Sequence, residues 1–329
     1  SKTKECYVVV SEVAKNNGGK KKVLASVLAG LAMIGAGAMG TPAQAAVVLG
    51  NSAVNITPDG TLNGSNTVSK NSVVVGYQNN AAGGPSDESG KIIYGAANTA
   101  NRESSLALGN QNKAINKSAS AIGVGNTASG EASVAMGNVS TASGDRSIAI
   151  GSGAEATESG TIAVGRKAEA KGGQAVAIGQ EAVASGPSSV AVGYKNTATN
   201  SVAVAMGVNN KATGAKSTVV GSSNTSTGDN SAVFGRQNQV DGASVAGAVA
   251  VGNLNKASGD RAIAIGESND SKVEDTITMG HSNTASVGGG IAIGQNNVAN
   301  SGGNAGNTMI AIGRENEATA LDTVAIGRK

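Results

Sequence analysis

The sequence predicts an all-β solenoid, a chain wound into a stack of short strands. Three observations predict it: a short apolar run closed by Gly recurs at a fixed period, large and small side chains alternate within each run, and the aromatic residues of a conventional core are almost absent.

The period is the strongest of the three. Apolar runs end at Gly95, Gly109, Gly123, Gly137, Gly151, Gly165, Gly179, Gly193, Gly207, Gly221 and Gly235, every 14 residues without a slip. The spacing resumes at Gly252, Gly266, Gly280 and Gly294, and again at Gly313 and Gly327. The two breaks, near residues 236–248 and 298–308, are three and five residues longer than the period and consist of Gly, Asn, Ser and Ala, so each predicts a loop inserted into one coil. Two earlier runs, Val47-Val48-Leu49-Gly50 and Val73-Val74-Val75-Gly76, are irregularly spaced. Residues 46–91 are therefore expected to form an N-terminal cap and residues 92–329 the repeat array.

Within a repeat, Ser147-Ile148-Ala149-Ile150-Gly151 is typical. Counting from the Gly, positions minus one and minus three are branched or long, and positions minus two and minus four are small. That is the period-two signature of a strand with two unlike faces. A second short element follows, with Asn at Asn98, Asn112, Asn126, Asn196, Asn210, Asn224 and Asn238 and Ala two residues later in most repeats. Gly, Ser, Asp and Lys between the elements supply turn chemistry, and all four prolines fall outside the apolar runs. Fourteen residues at ~3.3 Å trace a path of about 46 Å, enough for two short strands and two tight turns but too short for a three-sided coil. Stacked at ~4.8 Å, seventeen such coils make a rod of about 80 Å in which like residues form columns.

Composition agrees. The 329 residues include 49 Gly and no Trp, with aromatics at 2% and charged residues at 14%, a mix that suits neither a conventional core nor a disordered chain. Six of the 25 basic and two of the 22 acidic residues precede residue 46, leaving 19 and 20 in the remainder. Near-neutral and without a clustered basic face, that remainder is not expected to bind nucleic acid.

Residues 1–45 carry a charged segment, Lys20-Lys21-Lys22, an apolar stretch from Val23 to Met39, and the small-residue pattern Ala43-Gln44-Ala45. These are the parts of a secretory signal, with cleavage expected between Ala45 and Ala46. A membrane anchor is the alternative reading of the same stretch. The sole Cys, Cys6, lies upstream of the cut, so neither a disulfide framework nor a zinc site is expected in the mature chain.

The alternation assigns roles to the two faces. The branched side chains Ile148, Ile150, Ile162, Val164, Val176 and Ile178 are expected to fill the interior of the roll. The small residues Ala135, Ala149, Ala163, Ala177 and Ala191 are expected to let a neighbouring chain approach closely, because a solvated strand face would carry Thr, Lys and Glu instead. Alternatively, a face of Ala and Ser simply meets water.

Runs such as Ser133-Val134-Ala135-Met136-Gly137 and Ser189-Val190-Ala191-Val192-Gly193, each followed by an Asn/Ala-x-Ala stretch, resemble the head repeats of YadA-like trimeric autotransporter adhesins. The resemblance covers roughly residues 92 to 329. The opening Ser1-Lys2-Thr3-Lys4-Glu5-Cys6-Tyr7-Val8-Val9-Val10-Ser11-Glu12 is similar to the extended signal region that precedes many large autotransporters. The resemblance implies a left-handed parallel β-roll, a homotrimer, display at the outer membrane of a Gram-negative cell, and binding to host extracellular matrix, with collagen-like ligands the first candidates, or to other cells. It also implies a heptad stalk and an outer-membrane barrel, neither of which is in this sequence. The chain is accordingly expected to be a fragment, or a product unable to anchor itself, with an open reading frame that begins upstream of Ser1.

No catalytic, metal or cofactor site is expected. The single histidine, His281, stands at a turn position, so neither a Cys/His pair nor a Ser/His/Asp triad can be assembled within one chain. Glu155, Glu158, Glu169 and Glu181 sit at shifting offsets in the repeat and form no fixed acid/base pair. Ser143-Gly144-Asp145 and Ser258-Gly259-Asp260 lack the tandem pattern of calcium-binding rolls. A β-helix acyltransferase would need a hexapeptide period and a catalytic His, and an ice-binding solenoid would need a flat Thr ladder. Thr127, Thr141, Thr197 and Thr225 are scattered, though a structural or surface-layer solenoid shares the remaining features. No residue stands out as a ligand contact.

Overall fold

The computed structural model describes residues 46–50, 53–57, 66, 72–81, 90–242, 245–300, 308–320 and 322–329. Among them there is no helix. The expected leader, residues 1–45, lies outside the described residues, and Ala46, the residue expected to follow the cut, opens strand β1 (Ala46–Gly50). β1 pairs antiparallel with β2 (Ala53–Thr57), and β2 pairs parallel with β3 (Val73–Tyr77). From β3 to β4 (Ile92–Ala96) and onward every strand runs parallel to the one a coil earlier. The short strands begin with β5 (Thr99–Ala100) and stack in the same way. Among the described residues the long strands form a sheet of 20 and the short ones a sheet of 16.

Register follows the repeat. Val134 pairs with Ile148, Ile148 with Ile162 and Ile162 with Val176, so each sequence column becomes a file of like side chains. The longer coils keep this register: Phe234 still pairs with Val251, and Ile293 with Ile312.

The faces are the reverse of the sequence expectation. Ala135, Ala149, Ala163, Ala177 and Ala191 are fully buried inside the roll of a single chain, so they cannot meet a neighbouring one. Ile148, Ile150, Ile162, Val164 and Val176 point outward and are partly exposed, and Ile178 is 40% exposed. The cause is the shortness of the coil. A five-residue and a two-residue strand leave seven of the 14 residues for two corners. Each of those corners holds left-handed residues that turn the chain sharply. Sheets held apart by large side chains lie ~10 Å from one another, and corners so tight do not open that far. Only small side chains fit between. The interior is built from minus four and minus two of the long strand and plus three and plus five of the short one, as in Ser147, Ala149, Ala154 and Ala156, all at 0% exposure.

The first corner explains both the Gly and the Asn columns. Gly109 has φ 115°, and a Cβ there would stand 2.1 Å from the carbonyl oxygen of Gly123 in the next coil. Gly is the residue that fits. Two residues on, Gln111 adopts the left-handed conformation at φ 56°. Asn112 then turns its side chain inward, donating to the carbonyl oxygens of Leu108 at 2.9 Å and Gly123 at 2.7 Å and to Asn98 Oδ1 at 3.0 Å. Its own backbone N–H also donates to Asn98 Oδ1, at 2.9 Å. Repeated coil after coil, this is a buried amide ladder in which each side chain satisfies corner carbonyls that the tight turn would otherwise strand.

The ladder ends at Ser140, whose backbone N–H and hydroxyl both donate to Asn126 Oδ1, at 2.9 and 2.5 Å, and Ala154, Ala168 and Ala182 follow with no side-chain amide. At the last two the corner closes on itself instead: Ala168 N donates to Gly165 O at 3.3 Å and Ala182 N to Gly179 O at 3.4 Å. The adjoining long strands shorten to three residues, Ile162–Val164 and Val176–Ile178.

Candidate functional site: an apolar face on the long-strand sheet

The outward side chains of the long strands form one continuous surface. At positions minus three and minus one, from the coil of Gly95 to that of Gly327, none of the thirty-four residues is charged. Ser120, Thr218 and the Tyr94 phenol are the polar exceptions. Tyr94 is 55% exposed, Met206 41% and Phe234 40%. A stripe of exposed Ile, Val, Leu and Met running the length of a rod far exceeds the scattered apolar residues of an ordinary surface, and such stripes mark sites of association.

The short-strand sheet presents a different face. Its outward residues include Lys113, Thr127, Thr141, Glu155, Glu169, Thr197, Lys211 and Asp270. The threonines expected to be scattered stand instead in one column, Thr127 in register with Thr141 and Glu155 with Glu169, and Lys, Glu and Asp break up the Thr file. Ion pairs run along it between coils. Lys171 Nζ lies 2.7 Å from Glu169 and 3.4 Å from Glu155. Its pKa is raised, chiefly by the hydrogen bond it gives Glu169 and further by Glu155. The roll is thus amphipathic, one sheet apolar outside and the other polar.

The corners are polar as well. Glu181 lies 3.0 Å from Arg166 and 3.6 Å from Lys195. Its carboxyl is held below the usual range, first by the hydrogen bond from Gln180 and then by the two cations, against some desolvation. At the other corner Arg261 grips Asp275 with Nε at 2.6 Å and a second nitrogen at 2.8 Å, and also contacts Asp260. The paired guanidinium lowers the Asp275 pKa.

The Ser-Gly-Asp motifs have a structural use. Asp145 Oδ1 accepts from Glu131 N at 2.9 Å, and Asp260 Oδ1 from Ala246 N at 2.9 Å, each tying its coil to the one before. A Cβ on Gly144 would lie 2.0 Å from Glu158 O, which leaves room only for Gly at that corner. Among the described residues no group of three or more His, Cys, Asp or Glu is placed to hold a metal ion. His281 is exposed at the end of the strand Ile277–His281, in register with Glu267 and Gln295.

The residues assigned from sequence to the interior and to the chain interface therefore exchange places: the Ala side chains line the interior and the branched ones lie outside. A countable signal distinguished the two: small residues fill inward columns in both elements of the repeat, at minus four, minus two and plus five, and branched ones fill columns of the long strand alone. The Asn ladder was likewise present as a 14-residue recurrence, which parallel stacking converts into side-chain contact.

The model of the YadA head domain repeat matches residues 114–140, 142–168, 170–196, 197–224, 212–238, 246–266 and 310–329. No curated protein matches the chain.

Proposed function

The chain belongs to the YadA head-repeat family, and on that premise we propose that it is the head of a trimeric adhesin displayed on a Gram-negative cell surface. Its rolls wind left-handed, as in that family. Three parallel copies pack their long-strand faces around a common axis, and the short-strand faces and corners meet matrix or another cell. Family and fold are both typical of proteins without enzymatic activity.

One observation carries the reading. Burying Ala, Ser and Asn inside each roll leaves the large aliphatic side chains outside, in two uncharged columns along the rod. Each buried Å² of apolar surface contributes about 25 cal/mol, and the large side chains of the long strands have that surface left to bury between copies. A repeated outer face favours an extended ligand held at many weak points.

The test is binding of the secreted head to immobilised matrix proteins, collagen first, together with its mass in solution. Excising Asp145 to Glu158, one full period, should keep the trimer and most of the binding. Abolished binding by an intact trimer would replace the distributed surface with a single local site.

A further inference from the structure

A face made of repeated Ile and Val poses a register problem. Sliding one roll along another by a coil, ~4.8 Å, sets nearly the same side chains in contact. The face departs from repetition at Tyr94, at Ser120 and, with a knob and a notch side by side, in the coil of Gly235. The coil of Gly235 inverts the usual size pattern: Val233 replaces Ala inside, fully buried like Val219 of the coil before, while Ala232 replaces the branched residue outside at minus three, beside the Val-sized Thr218. Ala232 lacks the two side-chain methyl groups of its column neighbour Val249. Beside this notch, at minus one of the same strand, stands Phe234, the one Phe of the chain, 40% exposed and flanked in its column by Val220 and Val251.

Knob and notch lie at the same height in adjacent columns. A ring of three parallel copies is built from heterologous contacts, in which one patch of a chain meets a different patch of the next. Such a ring can set the minus-one column of one copy against the minus-three column of its neighbour. We propose that Phe234 of each copy seats in the notch at Ala232 of the next, and that this key fixes the axial register of the assembled rods. The proposal rests on the reading that copies associate through the long-strand face. In register the ring fills three notches at once. When one copy slides by a coil, the Phe234 at each of its two contacts meets Val249 or Thr218 and leaves an Ala232 notch empty, which costs packing at two of the three contacts.

The experiment reads register by disulfide formation in the full chain carrying Cys6→Ser. Chains with Ile150→Cys are co-assembled with chains carrying either Ile148→Cys, at the same height, or Ile162→Cys, one coil away. With Phe234 present, the 150–148 disulfide should exceed the 150–162 disulfide by roughly tenfold, equivalent to about 1.4 kcal/mol of register preference. Phe234→Ala should leave the mass at three chains and bring the two yields within roughly twofold of each other. Moving the knob to the other column, with Ala232→Phe and Phe234→Ala together, should restore the original preference. A Phe234→Ala trimer that keeps the tenfold preference overturns the key but leaves the shared face standing. A monomeric unsubstituted chain overturns the face, and the key with it.

Discussion

Asn210 donates its side-chain amide to the side-chain oxygen of Asn196, one coil earlier and 3.0 Å away, and the same amide reaches the carbonyl oxygens of Met206 and Gly221. In turn Asn224 takes its acceptor from Asn210. Asn210→Ala removes a donor and an acceptor from the middle of a buried ladder, and is expected to cost about 2 kcal/mol in urea denaturation. Ala168→Asn has no Asn above or below to pair with, since Ala154 and Ala182 flank it. It should gain nothing.

The two faces should respond oppositely to charge. Ala149→Asp places a carboxylate between the sheets and should cost several kcal/mol, enough to unfold neighbouring coils. Ile150→Asp, on the outer face, should leave the circular dichroism of the dilute roll unchanged and impair association instead. Equal loss of strand signal in both variants would mean that the side chains are not divided in this way.

Gly109→Ala forces a Cβ to within 2.1 Å of a backbone oxygen at φ 115°, and should destabilise by about 3 kcal/mol or more. Gly173→Ala meets nothing within 4 Å and has no positive φ. It should melt within about 0.5 kcal/mol of the parent.

The Arg261–Asp275 pair gives a pH dependence of defined sign. Because the folded pKa of Asp275 is depressed, its contribution is complete above the unfolded carboxylate value of about 3.9 and is lost as pH falls through the folded value. Melting curves of the parent and of Asp275→Asn should differ slightly at pH 7 and converge in acid. Both groups are solvated, so added salt should shrink the difference.

Much of the fold was legible because a solenoid writes its coil length directly into the sequence. The Gly95-to-Gly235 spacing gives the number and length of coils, and the alternation in Ser147 to Gly151 gives the strands. Which face lies inside was not legible from that strand alone, since Ile148 and Ala149 alternate equally well in either orientation. Orientation depends on the space between two sheets, and so on the width of the corners and on the small residues opposite, Ala154 and Ala156. The site was hidden by the same ambiguity: reversing the faces moves the apolar columns from core to surface. Phe234 was visible as a large residue at minus one, and its meaning required knowing that Val233 points in and Ala232 out.

Light scattering on a chain carrying Ile150→Lys, Val164→Lys and Ile178→Lys tests whether the outer apolar face holds the copies together. These residues stack in one column across successive coils, so the substitutions set like charges along the contact at little cost to the roll. At high protein concentration the parent should weigh three chains and the variant one, with the strand signal of the roll retained. A variant that still weighs three chains, or a parent that weighs one, would contradict the assignment of this face as the interface.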